Sequence, residues 1–242
     1  MKQISLLILL SCFLASASTA QIDSMTIAKK DTTYWKKGGA GTFNFSQVSL
    51  NNWAQGGENS LALQGIFNLF AKYQKEKNSW ETTLDAGYGI LKSGENNPTR
   101  KSDDKIDFSS KFGRQAGSNK LFYSALFNFR SQFAPGYNYP NKVDLISNFM
   151  APGYFLLSLG MDYQPAKDFS IYLSPFTGKM TIVYDPTLAK AGAFGVDSGK
   201  HRRIEPGAYF TLKYKHAIFE NVTLSTKLDL FSNYIENPQN VD

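Results

Sequence analysis

Thiol chemistry is nearly excluded from the outset. The only cysteine, Cys12, lies in the leading segment, so the rest of the chain can form no disulfide and offers no nucleophilic sulfur. Histidine is almost as scarce. His201 and His216 are the only two, too few for a multi-histidine metal site and a thin supply for an enzyme. Beyond residue 20 no run of about 18 apolar residues occurs, which excludes a spanning helix, and mean hydropathy is −0.31. Charge is not concentrated either. The net charge is +6, with Lys and Arg scattered among Asp and Glu. A nucleic-acid surface needs basic residues gathered on one face, so nucleic acid is not expected as a partner. Gly38-Gly39 and Gly56-Gly57 lack a strand–loop–helix setting and a following Gly-Lys-Ser/Thr, so they are not read as phosphate loops. No cofactor is expected, and Gly56-Gly57 reads as a tight external turn.

The leading segment has a targeting pattern. Met1-Lys2-Gln3 is basic, Ile4 to Leu14 is mostly apolar, and Ser18-Thr19-Ala20 supplies small residues before Gln21. Residues 1–20 therefore read as a secretory signal peptide, too short to span a membrane as a helix. Leu9-Leu10-Ser11-Cys12 has a faint likeness to a lipoprotein processing site, weakened by the short apolar stretch and by Leu10. Residues 21–37 are polar and aperiodic and are expected to form a periplasmic tail. Residues 38–242 are expected to form the folded body.

That body alternates. In Trp80-Glu81-Thr82-Thr83-Leu84-Asp85-Ala86-Gly87-Tyr88-Gly89-Ile90 the even positions are mostly apolar and the odd ones polar or glycine. A period of two means a strand with one greasy and one wet face. The pattern recurs in nine runs, among them Leu61 to Tyr73, Ile106 to Phe112, Tyr123 to Phe133, Phe155 to Tyr163, Ala208 to Tyr214 and Val222 to Tyr234. The first run, Gly41 to Leu50, changes phase between Phe45 and Val48, which suggests a bulge. So does the run from Phe169 at Pro175 to Lys179. Most runs approach the roughly 9 to 11 residues that a tilted strand needs to cross a bilayer. Aromatic residues make up 14 % of the chain, in keeping with the aromatic girdles of outer-membrane barrels. The expected fold is all-β, a transmembrane up-and-down antiparallel β-barrel in the outer membrane of a Gram-negative bacterium.

Short and long connections alternate. Lys75 to Asn78, Gly117 to Asn119, Ala166 to Asp168 and Glu220-Asn221 are hairpin-like, whereas Asn52 to Asn59, Ser93 to Asp104, Ala134 to Gly153 and Asp185 to Arg203 are long. Barrels of this kind have short periplasmic turns and long external loops, so the N-terminus is expected in the periplasm. Nine strands is an odd number and the last residues carry no closing strand. The chain is therefore expected to be incomplete at its C-terminus, because a closed wall leaves no raw edge.

Several motifs resemble an uncharacterised family of Bacteroidota outer-membrane proteins, a domain family of unknown function. They are Trp35, Gly38-Gly39, Asn44, Gln47, Asn52-Trp53, Gly56-Gly57 and Asn59-Ser60, followed by Tyr73, Trp80 and Tyr88-Gly89. Later come Lys101 to Lys105, Ser174 to Lys179 and Gly192 to Gly199. The resemblance covers nearly all of the mature chain. It implies three further strands and a barrel of about twelve, but no transferable activity.

Three groups of candidate site residues follow. Alternation points Glu81, Asp85, Asp107, Asp162 and Asp229 inward with Lys72, Lys111, Arg130, Lys213, Lys215 and Lys227. They could line a hydrated, selective pore or fill the lumen with ion pairs. In the Ala134 to Gly153 link, Val143, Leu145, Ile146, Phe149 and Met150 are apolar. They would form either an inward-folded lid or a patch for a partner such as another barrel, a lipoprotein or lipopolysaccharide. Lys200, Arg202 and Arg203 near the external rim could meet anionic lipid headgroups, or be solvated. Asp197, Ser198 and His201 lie together in one loop, but neighbours in a loop rarely hold triad geometry, so a polar loop is expected there. His216, near the periplasmic turn, is expected to have an interfacial or lumen-facing role.

The first functional expectation is a non-enzymatic barrel subunit of an outer-membrane assembly, secretion or uptake complex. A passive channel for small or amphipathic solutes is the alternative, and a lipid hydrolase the third. Outer-membrane lipids are the expected surroundings in every case.

Overall fold

The computed structural model describes residues 34–51, 56–236 and 238–239. The segment expected to be a signal peptide, with Cys12, residues 21–33 of the expected tail, residues 52–55 of the first long link and residues 237 and 240–242 lie outside the described residues. Among the described residues there are eleven strands: β1 (Trp35–Val48), β2 (Ser60–Lys75), β3 (Asn78–Ser93), β4 (Arg100–Ala116), β5 (Ser118–Ser131), β6 (Gly136–Tyr137), β7 (Leu145–Ser147), β8 (Gly153–Ala166), β9 (Phe169–Ile182), β10 (Arg202–Phe219) and β11 (Val222–Asn233). One short helix, α1 (Pro186–Lys190), and a 3₁₀ turn, Ala193–Gly195, lie between β9 and β10. Among the described residues no helix is long and apolar enough to cross a membrane, which says nothing of crossing by strands.

Nine strands form one antiparallel sheet in the order β1-β2-β3-β4-β5-β8-β9-β10-β11, while β6 and β7 pair separately. The nine alternating runs of the sequence are the nine strands of this sheet. β1 begins at Trp35 and not at residue 38, so the tail is shorter than its sequence suggests. Sequential antiparallel neighbours need only short turns at one rim, and these are Glu76-Lys77, Gly117, Lys167-Asp168 and Glu220-Asn221. The other rim carries every long link. In the first of these, Gly56 and Gly57 both have positive φ (82° and 128°), a backbone that suits glycine.

The bulge expected in β1 is absent. Trp35 to Val48 pairs in unbroken register with Tyr73 to Ser60. The change of phase in the sequence is instead a change in side-chain type near the strand end, with Val48 on the same face as Asn44. The bulge expected in β9 is present. Leu159 and Met161 of β8 pair with Phe176 and Leu173, and Gly207 and Tyr209 of β10 pair with Thr177 and Ser174, so β9 carries one extra residue on both sides. Pro175, which has no N–H to offer a ladder, sits there. The Ser174 hydroxyl meets the Leu159 carbonyl at 2.8 Å and the Thr177 hydroxyl at 2.9 Å, holding the bulge closed.

Burial along the strands runs opposite to that of a water-soluble sheet. In β8, Leu157 and Leu159 are 60 % and 56 % exposed, while Ser158 and Asp162 are 0 % and 1 % exposed. In β5, Tyr123 and Phe127 are exposed and Ser124, Leu126 and Asn128 are buried. Polar side chains can be buried because the sheet curls on itself. Arg130 of β5 reaches Asp229 of β11 at 3.2 Å, although β8, β9 and β10 lie between them in the sheet. The two edges β1 and β11 are not paired with each other, and all of β1 is exposed. No closed barrel is formed among the described residues.

Gly160 faces the inside of the β9 bulge, where a Cβ would collide with the Leu173 carbonyl oxygen and the Ser174 Cα. Gly160→Val should therefore destabilise the fold by about 1–3 kcal/mol through overpacking against backbone. Denaturant unfolding of the refolded protein checks this, and an unchanged midpoint would mean that the bulge moves freely.

Candidate functional site

The concave face is built from the odd-numbered polar positions of β3 and β4, the even-numbered ones of β5 and β8, and their counterparts on β9 to β11. Alternation alone places them, and the curl then lets strands that are not neighbours in the sheet touch. The described part divides into three linked clusters. Lys72 and Glu81 pair at 2.6 Å near the short-turn rim. Lys111 of β4 pairs with Asp162 of β8 across β5, and Gln164 Nε2 donates to the same Asp162 oxygen at 2.8 Å. Asp229 collects Lys227 at 2.7 Å, Arg130 at 3.2 Å and the Tyr209 hydroxyl at 2.8 Å. Arg130 continues to Asp107 at 3.6 Å, and Asn128 donates to Asp107 at 2.8 Å.

The inward residues expected from sequence are therefore together on this face. Asp85 accepts from Asn68 at 2.7 Å. Lys213 lines the central space with Glu81, Lys111 and Lys227. Lys215 is the outlier, exposed beside the short turns. The sequence left open a pore or a zipped lumen, and the contacts here are those of zipping, with basic and acidic side chains bound to each other across the curl. The central space, bounded by β3 to β5 and β9 to β11, is about 20 Å³. A single water needs roughly 10–15 Å³ on this measure, so there is room for about one.

Alternation in the sequence also turns Tyr209 inward, but it left Tyr172, Leu126 and Phe231 of this face unnamed. Tyr172 is 1 % exposed, with its hydroxyl 2.9 Å from that of Ser158. Tyr172, Tyr209, Leu126 and Phe231 form a small apolar cluster beneath the ion pairs. Tyrosine occurs on both faces of this protein, so residue type alone does not mark Tyr172 as inward; its parity against Phe169, Ile171 and Leu173, ahead of the β9 bulge, was the available signal.

At the long-link rim two links fold together. Ala151, Val183, Leu188, Ala189 and Val196 are buried against one another, with Leu145, Ala193 and Phe194 packed on them. Helix α1 starts where its sequence permits. Asp185 caps it, accepting from Thr187 N at 2.9 Å and Leu188 N at 3.3 Å, and Pro186 takes the first position, where no N–H is needed. Gly192 follows its end with φ 69°. Those three residues were the available signal for a helix in what reads as a plain loop. Asn148 bridges the links, donating to Asp185 Oδ2 at 3.1 Å while Gln132 donates to the Asn148 carbonyl at 2.9 Å. The Met150 carbonyl accepts from Tyr184 N at 2.8 Å. The bond from Asn148, then those from the Leu188 and Thr187 backbone, outweigh desolvation and hold the Asp185 carboxyl below its ordinary pKa.

The apolar residues of the first link divide between the two expected roles. Leu145 packs inward on the cap and Met150 is half-buried, whereas Val143, Ile146 and Phe149 remain exposed. Of the basic group, Lys200 pairs with Asp197 at 2.8 Å, and Arg203 is held by Glu205 at 2.9 Å and Glu236 at 2.7 Å. Arg202 alone has no carboxylate partner among the described residues. Asp197, Ser198 and His201 do not form a relay. Ser198 Oγ donates to the Lys190 carbonyl at 2.7 Å, His201 Nδ1 lies 2.8 Å from the Val183 carbonyl, and Asp197 is taken by Lys200. The Lys200 hydrogen bond lowers the Asp197 pKa, and the same bond raises that of Lys200. His216 meets Asp168 at 3.1 Å beside the short turns. Among the described residues no group of three or more His, Cys, Asp or Glu is placed to hold a metal ion.

Residues 45–137, from the end of β1 to β6, match the model of a family described as "Protein of unknown function (DUF3078)". The chain is thus similar, over that stretch, to a family without an assigned activity; the motifs from Gln47 to Lys105 fall within it, whereas those at 35–44, 174–179 and 192–199 lie outside it. No curated protein and no solved structure matches the chain.

Two outcomes follow from this geometry. Asp162→Asn leaves Lys111 without its charge partner in a buried setting and should cost about 3–5 kcal/mol. The double variant Lys111→Met/Asp162→Leu should recover most of that, and equal losses in single and double variants would contradict the pairing. For the cap, a carboxyl with a lowered folded-state pKa stabilises above its unfolded value, near 3.9. That stability disappears as pH falls through the lower folded value. The protection of the amides at 187–191, exchange measured against the intrinsic rate at each pH, should accordingly hold from neutral pH down to about 4 and then fall. Asp185→Ala should lower it about fivefold at neutral pH, the effect of losing a cap worth about 1 kcal/mol.

Proposed function

We propose that the curled sheet is the wall of a transmembrane up-and-down β-barrel in the outer membrane of a Gram-negative bacterium, with its N-terminus in the periplasm. The carrying observation is the inverted burial, with Leu157, Leu159, Phe176 and Tyr123 facing out while Ser158, Asp162, Ser174 and Thr181 are sealed in. In water that arrangement forfeits the hydrophobic effect on one side and the hydration of charges on the other. In a bilayer the first cost disappears, and the second is offset by the ion pairs on the concave face. The sheet strands, 12 to 18 residues long, exceed the length needed to cross. The alternation of short and long links supports the orientation. Hydrocarbon does not tolerate unpaired strand edges, so β1 and β11 require partners in the membrane, and about twelve strands is the size we propose for the closed wall.

Within that setting we read the protein as a non-enzymatic accessory subunit of an assembly, secretion or uptake complex, with other barrels or lipoproteins as partners. Two features support it over a passive channel. The concave side is filled by mutually bound side chains around a space of about 20 Å³. The folded cap also offers Val143, Ile146 and Phe149 on its outside. A lipid hydrolase has less support, since Ser198 and His201 are each bound to a backbone carbonyl and not to each other. Planar-bilayer recording of the purified protein tests the choice. The accessory reading predicts no discrete conductance steps, and stable unitary steps would replace it with the channel.

A further inference from the structure

Two rows of side chains cross the convex side near the short turns. The register sets Arg114, Tyr123, Met161 and Leu173 in one row across β4, β5, β8 and β9, and Phe112, Ala125, Leu159 and Phe176 in the next. Tall side chains stand in both rows, but Ala125 is short, and beside it β9 bulges at Pro175. The result is an open apolar trough of about 640 Å³ lined by these residues. Arg114 is the one charged residue in it. It lies three residues from the Gly117 turn, is exposed, and its side chain makes no hydrogen bond or ion pair among the described residues.

A guanidinium at the end of an apolar trough is matched by a molecule with a phosphate at one end and hydrocarbon at the other. On the membrane reading above, on which this rests, we propose that the trough holds a glycerophospholipid, its phosphate on Arg114 and an acyl chain along Ala125 between the two rows. The guanidinium fork can donate two parallel bonds to phosphate oxygens. Its stem lies along apolar surface while the charge reaches toward the headgroups near the rim. Tyr123, 62 % exposed beside Arg114, has the amphipathic ring expected at that depth. The face thus selects by charge, and a diacylglycerol of the same chain length, which lacks the phosphate, is excluded.

The full-length chain in dodecyl maltoside, incubated with dioleoyl phosphatidylglycerol and then gel-filtered, should retain one lipid per chain by native mass spectrometry. Dioleoylglycerol should not be retained, a comparison that needs no variant. Arg114→Gln should weaken retention about tenfold, Arg114→Lys should restore part of it, and Ala125→Phe should abolish it by filling the trough. Retention of both lipids alike, undiminished retention in Arg114→Gln, or a dimer mass with no lipid would each overturn the site. The two readings fail differently. A protein that stays dissolved without detergent removes the membrane reading, whereas one that needs detergent yet retains no phosphatidylglycerol removes only the trough.

Discussion

Charge pairing across the concave face is the constraint on which the rest of this structure depends. A sheet whose apolar side points outward can exist only if its polar side is satisfied from within. Arg130 of β5, placed between Asp107 of β4 and Asp229 of β11, does this across three intervening strands, and Lys111 with Asp162 does it across one. Each such pair closes the curl a little further and removes a charge that would otherwise demand water. Burying paired charges gains little net stability by itself. Its effect here is to specify which strands face each other, because a slip of one residue would turn every charge outward.

The long-link rim uses a different device. Its residues are not held by alternation but by a small apolar core under helix α1, with Asp185 and Asn148 tying the two links together. The cap is anchored to β5 as well, since Met150 N donates to Ser131 Oγ at 3.1 Å. One end of the wall is therefore a folded surface and the other a set of tight turns. The two rims thus differ, one a packed surface and the other a simple margin of turns.

Much of this was legible in the sequence, for a definite reason. Side chains in strands have a period of two, so the inward set from Glu81 to Asp229 could be named residue by residue before any contact was known. The β9 bulge was legible because Pro175 cannot join a ladder. The pairings were not, because parity says which way a side chain points and not which distant strand lies opposite; Arg130 with Asp229 depends on the degree of curl. Helix α1 was overlooked although Asp185-Pro186 and Gly192 mark its ends, since five residues give too little periodicity to register. The phase change in β1 suggests a bulge only if Val48 requires the apolar side, and its unbroken register shows that it does not. The basic run ending at Arg203 looked free only because Glu205 and Glu236 are brought to it by the fold.

The absence of cysteine after Cys12 permits a direct measurement. Spin labels placed singly at positions 155 to 159, 161 and 163 in β8 of the membrane-reconstituted protein report collisions with oxygen, which concentrates in lipid, and with a polar nickel chelate. The account predicts oxygen contact at 155, 157, 159, 161 and 163 and protection from both reagents at 156 and 158. Nickel access at 157, 159 and 161 with no preference for oxygen would mean that this face meets water, and the inverted arrangement would have lost its environment.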